Sequence, residues 1–405
     1  HTYAEAGDYV VEMTAGSVVT WSPGATIDSS PYSILGAYGS SKSGTTPQLT
    51  AFTFGEGCRL NESCAFFGAT SLTSISIPYG ITSVPVSCFE GCTGLQSIYL
   101  GADVAGFEIS AITACTSLTS FSVSAQNATL GVIDGVLTSA DKTKIIRFPT
   151  GRSGAYTVAS SITSIDHGAF SGCLITSLNT GNAESIGNQA FYNCTALTSI
   201  VFTPSVETAG TEAFARCTRL ASIRFSNGLK TAGKSMFERC TALTSAVVPA
   251  SITSLAQNMY QYCTGITSAT IEEGQTTTGE YTFKGCTALT SATLPSSLTT
   301  IGDSAFSSCT ALTSVNIPSN VAYIGSYAFT NATLSGPLTI SAAEIYRGAF
   351  QNNPNLTGIW LRSSVTKLDV MTVTASNRTG AYYVSPFNKC TSLTLYLEAS
   401  TAPAG

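Results

Sequence analysis

Pro295-Ser-Ser-Leu298-Thr-Thr-Ile301-Gly302-Asp303-Ser-Ala305-Phe306-Ser-Ser-Cys309-Thr-Ala-Leu312-Thr-Ser-Val315-Asn316-Ile317-Pro318 is one turn of a pattern that runs along the chain. Its cysteine belongs to the series Cys194, Cys217, Cys240, Cys263, Cys286 and Cys309, spaced every 23 residues without a slip. Three residues before each cysteine stands an aromatic (Phe191, Phe214, Phe237, Tyr260, Phe283, Phe306), and three after it Leu or Ile. A fixed period of this size marks a repeat in which each unit is one coil of a solenoid.

Within the quoted unit, Leu312-Thr-Ser-Val315-Asn316-Ile317-Pro318 reads as a short strand with one buried face, ended by proline. Leu298-Thr-Thr-Ile301-Gly302 supplies a second apolar stripe, and the glycine suits either a bend with φ > 0 or a close backbone approach. Asp303 to Cys309 is too short for a full helix and is expected to form one helical or 3₁₀ turn. A single coil cannot cover its own apolar layer, so the units must stack, sharing that layer and pairing their strands in parallel.

The columns extend in both directions. The first strand is expected at Leu49-Thr-Ala-Phe52-Thr-Phe54, and Ala69 then takes the cysteine place, before Cys92 and Cys115. Between Cys115 and Cys173 the period breaks. There Gly131 to Leu137 and Lys144 to Phe148 flank Thr138-Ser-Ala-Asp-Lys-Thr143, which reads as an inserted β-hairpin near 130–150. After Cys309 the units at Ala332 and Asn353 lose the sulfur, and an irregular stretch at 366–386 precedes the last unit at Cys390. The fold expected is one right-handed leucine-rich-repeat solenoid of about thirteen coils, with a parallel β-sheet on one face and short strands and helical turns on the other.

These residues resemble the leucine-rich repeats of the BspA type, also called the Treponema pallidum type, over residues 47–397. The inserted D-G-V-L-T-S-A-D-K-T-K-I-I-R-F-P-T-G fits the same family. The resemblance implies a surface-exposed or secreted protein of a bacterium or protozoan that adheres to host cells, matrix proteins or other microbes. His1-Thr-Tyr-Ala-Glu-Ala-Gly-Asp-Tyr-Val-Val-Glu-Met13 is similar to the last strand of a PKD-like sandwich. Residues 1–46 are therefore expected to be a cap with a PKD-like remnant, and 398–405 a linker.

Only 10% of the residues are charged, against a usual quarter or so, and the formal net charge is −5 with a pI near 5.1. That argues against nucleic acid as a partner. No apolar run has the length of a membrane span. The 13 cysteines fall mostly in one coil position, which reads as a stack of buried thiols. Cys58, Cys64 and Cys88 sit off that column and are the candidates for other chemistry.

Catalysis has little to build on. His1 and His167 are the two histidines, and His167 takes the place of Asp303, a turn position expected to face solvent where substitution costs almost nothing. Cys88-Phe-Glu-Gly-Cys92 is a poor zinc candidate, since repeat packing accounts for Cys92. Asp134 and Asp141 at the insertion suit turns better than calcium. No cofactor, metal or catalytic residue is expected. Sequons stand at Asn61, Asn127, Asn193, Asn331, Asn355 and Asn377, with Asn193 poorly placed for a glycan.

The outward residues of the strand face carry the functional expectation. Two columns are nearly constant, Thr (Thr198, Thr244, Thr267, Thr290) and Ser (Ser199, Ser245, Ser268, Ser291), and suit strand propensity and solubility. The third varies: Ser76, Tyr99, Ser122, Val201, Arg224, Val247, Thr270, Thr293, Asn316, Trp360. Tyr99, Arg224, Asn316 and Trp360 are the candidate ligand-binding residues, with Trp360 equally suited to packing at a terminal cap. The expected function is non-enzymatic adhesion by a monomer at the cell surface or outside the cell, to a host or microbial surface protein or glycan. The alternative is a structural spacer presenting another module.

Overall fold

The computed structural model describes residues 18–20, 50–54, 60, 65–369, 371–374 and 381–397. The PKD-like strand at 1–13, the 398–405 linker, Cys58, Cys64, Asn61 and Asn377 lie outside the described residues. The chain divides into two compact units, residues 1–152 and 153–405, taken here in turn.

In the first unit, Ser74–Ile77, Ser97–Leu100 and Ser120–Val123 pair in parallel with Ser76, Tyr99 and Ser122 in register. Ile75, Ile77, Ile98, Leu100 and Phe121 alternate inward, as the period-two pattern requires. Opposite them, Ser83–Val84 pairs with Gly106–Phe107. Phe66 and Phe89 stack at 5.3 Å inside. Ala51–Thr53 forms the expected first strand, and Val18–Thr20 pairs with it in parallel, a rung that the repeat columns do not announce.

The insertion holds more structure than one hairpin. Leu130–Ile133, Val136–Ser139 and Lys144–Arg147 form an antiparallel meander. Its first turn is Asp134-Gly135, both at positive φ (47° and 78°), the geometry that a two-residue hairpin favours. The sequence reading treated Gly131 to Leu137 as one strand and missed this turn. Asp141 closes the second turn, accepting from the Thr143 hydroxyl at 2.9 Å and the Thr143 amide at 3.1 Å.

The second unit carries the regular coils. Its long face is built from three parallel sheets: Ser153–Thr157 through Ser222–Arg224, Ser245–Val248 through Ser291–Thr293, and Gly336–Ile340 through Thr394–Leu397. The opposite face carries two-residue strands such as Ser185–Ile186, Thr208–Ala209 and Thr231–Ala232, paired coil to coil. Gly302 is explained by close approach: its φ is not left-handed, and a Cβ there would lie 2.6 Å from the carbonyl carbon of Gly279.

Between the faces runs one aromatic stack, Phe170, Phe191, Phe214, Phe237, Tyr260, Phe283, Phe306, Phe329, Phe350 and Phe387, with neighbouring rings 4.6 to 5.8 Å apart. Beside it the thiols of the regular column from Cys194 to Cys309 donate to the carbonyl of an aromatic one coil back, among them Cys194 to Phe170 (3.0 Å), Cys217 to Phe191 (3.2 Å) and Cys263 to Phe237 (3.0 Å). Asn353, in a coil without the sulfur, donates to the equivalent carbonyl of Phe329 at 2.9 Å. A small donor suits the column, and Cys and Asn both supply one, while Ala69 and Ala332 fill it by size alone.

Two expectations change on contact with the structure. Asp303 to Cys309 forms no helix: the N–H groups of Ala305, Ser307 and Cys309 bond three residues back, while those of Ser304, Phe306 and Ser308 reach Ser326, Ala328 and Thr330 of the next coil. Alternating the direction requires left-handed residues, Ser304 (φ 52°) and Ser308 (61°), so a helix cannot propagate. Among the described residues the 3₁₀ expectation is met at Ile109–Ile112. Second, Leu312 to Pro318 buries Leu312 and Val315 as expected but is not a paired strand. The following coil offers Pro337 there, which has no N–H to return.

Candidate functional site

Tyr99 projects from the strand face of the first unit, 40% exposed between Ser76 and Ser122. In the second unit, Arg224 is exposed beside Val201, at the rim of a shallow groove floored by Phe202, Pro204 and Phe225. Asn316 is exposed on the unpaired segment. Arg224 and Asn316 are four coils apart, about 19 Å at the usual ~4.8 Å strand spacing, so these candidates do not converge on one pocket.

Trp360 is different. It stands in register with Tyr396, the two rings stack at 4.2 Å with an interplanar angle of 13°, and both remain exposed (49% and 41%). Sequence reasoning stopped that column at Trp360 and missed Tyr396. Counted from Cys390, the third column falls seven residues on, at Leu397, so only the strand register brings Tyr396 opposite Trp360.

The constant Thr column is occupied by the fold itself. Hydroxyls of Thr198, Thr267 and Thr290 donate to the carbonyls of Thr176, Thr244 and Thr267, at 2.8, 3.0 and 3.0 Å. A hydroxyl bonded in this way stitches one coil to the next and has less to offer a ligand. Asp303 also has a structural task that the sequence did not suggest: its carboxylate accepts the Ser326 amide of the next coil at 2.8 Å. His167, at the equivalent position, is exposed and sets Nδ1 2.8 Å from the Asn188 carbonyl. The sequon residue Asn127 is buried, its amide donating to the Gly101 and Val104 carbonyls at 2.8 Å each, so a glycan there would break the coil.

The thiols are chemically quiet. Burial pushes Cys92, Cys115 and Cys286 up to about 12, and raises Cys217, Cys240, Cys263 and Cys309 as well. A thiol without thiolate character is neither nucleophile nor metal ligand at neutral pH. Cys88, off the column, is buried too. Among the described residues no three His, Cys, Asp or Glu side chains gather into a metal-binding group. No helix among them is long and apolar enough to cross a membrane.

A family model described as a BspA type leucine rich repeat region matches in six copies, over residues 43–134, 154–267 and 256–379. Among solved structures, the chain is similar to a leucine-rich repeat protein from Eubacterium ventriosum at 18% identity, covering 70% of this chain and 82% of that one, with a TM-score of 0.47. A Bacteroides ovatus leucine-rich repeat protein matches at 21% identity over 76% and 77% of the two chains, with a TM-score of 0.44. A leucine rich cell surface protein from Faecalibacterium prausnitzii matches at 24% identity over 61% and 64%, with a TM-score of 0.41. No curated protein matches the chain. Its 23-residue columns, its thiol and amide donors at one coil position, and the family match over more than half its length together establish that the chain belongs to the BspA type leucine-rich-repeat family.

Proposed function

We propose that this chain is a non-enzymatic binding protein, displayed at the cell surface or secreted, that adheres as a monomer to a host or microbial surface protein or glycan through its strand face. The observation that carries the reading is the exposed Trp360–Tyr396 stack. A flat aromatic pair standing on a face otherwise lined by Ser and Thr is costly to leave in water and is the kind of anchor that binding surfaces use. Arg224 above the Phe202–Phe225 groove, and Tyr99 and Asn316 elsewhere on strand faces, are the secondary contacts under this reading. Under this reading recognition rests on shape, aromatic contact and hydroxyl hydrogen bonds.

The purified chain should be screened against host-matrix proteins, glycans and microbial surfaces. Trp360→Ala and Tyr396→Ala should each weaken the best ligand by about tenfold or more, as loss of a central anchor does. Unchanged affinity in both variants would remove the strand face from consideration. A chain that binds nothing across the panel would be a spacer.

A further inference from the structure

The residue just before the column cysteine is left-handed in coil after coil of the second unit: Asn193 (φ 58°), Arg216 (61°), Arg239 (61°), Tyr262 (59°), Ser308 (61°) and Asn331 (57°). Glycine and asparagine accept this conformation most readily, and Gly172 and Gly285 fill the same position elsewhere. Three successive coils ignore that preference and place long side chains there, Arg216, Arg239 and Tyr262. Their side chains point outward, so the core gains nothing from the choice. A local rule broken on adjacent rungs without a packing reward points to a functional surface.

These side chains are organised. The Arg239 guanidinium carbon lies 4.8 Å from the centre of the Tyr262 ring, and that of Arg216 lies 5.8 Å from the centre of Tyr192. Two tyrosines thus bracket two arginines on neighbouring coils. Tyr262 is seated against Gly285, where a Cβ would come within 2.5 Å of the ring. Like charges on facing rungs repel, and little opposes them here. Glu238 reaches Arg239 at only 3.5 Å, and Arg216 has no ion-pair partner among the described residues. Residues 213–240 carry Arg216, Arg219, Arg224, Lys230, Lys234 and Arg239 against Glu238 alone, in a chain whose net charge is −5. Thr218, Thr241 and Thr264 line the same groove in a row.

We propose that this groove binds an acidic sugar, its two guanidiniums holding acidic groups of the sugar and the tyrosines its rings. A planar guanidinium fork suits a carboxylate or sulfate, and the groove offers two. The tyrosine faces suit the apolar C–H side of a sugar ring, and the threonine row offers partners to its hydroxyls. An acidic peptide would satisfy the arginines but leave the flanking rings without a matching flat surface. This site lies on the turn face, apart from Trp360 and Tyr396, so the two readings stand or fall separately.

The test is a calorimetric titration of the whole chain, at roughly physiological salt where weak surface electrostatics are screened. The probes are a sulfated, uronate-containing hexasaccharide, a neutral hexasaccharide, and a polyglutamate peptide of the same formal charge as the first. The acidic hexasaccharide should saturate and the other two should bind at least about tenfold more weakly. Arg216→Gln and Arg239→Gln should each cost about tenfold, and Gly285→Ala, which displaces Tyr262, several-fold. Lys234→Ala, at an exposed lysine outside the groove, should stay within about twofold. Circular dichroism of each variant separates lost binding from lost folding. The proposal is overturned if the acidic hexasaccharide fails to saturate, if polyglutamate binds as tightly, or if Lys234→Ala costs as much as Arg216→Gln.

Discussion

Cys240 and Arg239 are neighbours in sequence and follow opposite rules. The cysteine column faces inward, where Cys217, Cys240, Cys263 and Cys286 each donate to an aromatic carbonyl one coil back at 3.0 to 3.3 Å. The column one residue earlier faces water and holds Asn193, Arg216, Arg239, Tyr262, Gly285 and Ser308 in succession. Inside, a buried carbonyl and a ring stack fix what may stand there. Outside, only the left-handed backbone constrains the choice, so variation is available for recognition.

The contrast is best broken from the inside first. Phe237→Ala opens a hole between Phe214 and Tyr260 in the middle of the stack and should cost about 3–5 kcal/mol, read from urea denaturation. Asn353→Ala should follow at roughly 2–3 kcal/mol. It leaves the buried Leu334 amide without its acceptor and removes one donor each from the Phe329 and Phe350 carbonyls, which keep the Ala332 amide and the Cys390 thiol. A loss as small as that of a surface substitution would mean that the column selects size alone.

The thiols sharpen the same point through pH. Cys92, Cys115 and Cys286 are raised to about 12 when folded, from an ordinary value of 9.0. Their contribution is fully present below pH 9 and is lost as the pH rises toward 12, because the unfolded thiol ionises first. Each group removes about 1.4 kcal/mol per pH unit in that window, so alkaline denaturation midpoints should fall steeply, and Cys286→Ala should flatten the slope. Thiol-reactive reagents at pH 8 should leave the folded column unlabelled, whereas broad labelling would contradict its burial.

Smaller effects belong to the turns and the outer column. Asp303→Ala removes the acceptor for the Ser326 amide and should cost about 1 kcal/mol, against almost nothing if the residue were a bystander. Arg239→Asn should move in the other direction. Asparagine tolerates the left-handed backbone and relieves repulsion with Arg216, so thermal melting should show a gain of about 0.5–1 kcal/mol. A destabilised Arg239→Asn would show that the arginine serves the coil and would weaken the contrast between the two columns.

Much of the architecture was written in the period. Spacing alone placed the Phe–Cys–Leu layer inside, because stacked coils repeat each environment at a fixed interval. It also marked where regularity ends, at the insertion after Cys115 and the loss of sulfur at Ala332 and Asn353. The third outward column was legible as far as Trp360, whereas Tyr396, one residue short of the column spacing, joins it only through the strand register.

What periodicity could not report was the destination of individual hydrogen bonds. The segment from Asp303 to Cys309 has the spacing of a helical turn, yet every other amide leaves for the next coil. Gln275 occupies the apolar column of Leu298, and it fits because its amide meets the Pro249 and Ile252 carbonyls at 2.7 and 2.6 Å. Asp303 looks like a free surface acid until Ser326 is brought beside it. Likewise, nothing in one coil says that Arg216 and Arg239 will line one groove, each over a tyrosine of a flanking coil. The sequence by itself determined which residues are buried, since burial depends on a side chain's place within its own repeat. Only the tertiary structure decided which polar groups meet, since those partners come from neighbouring coils about twenty residues away.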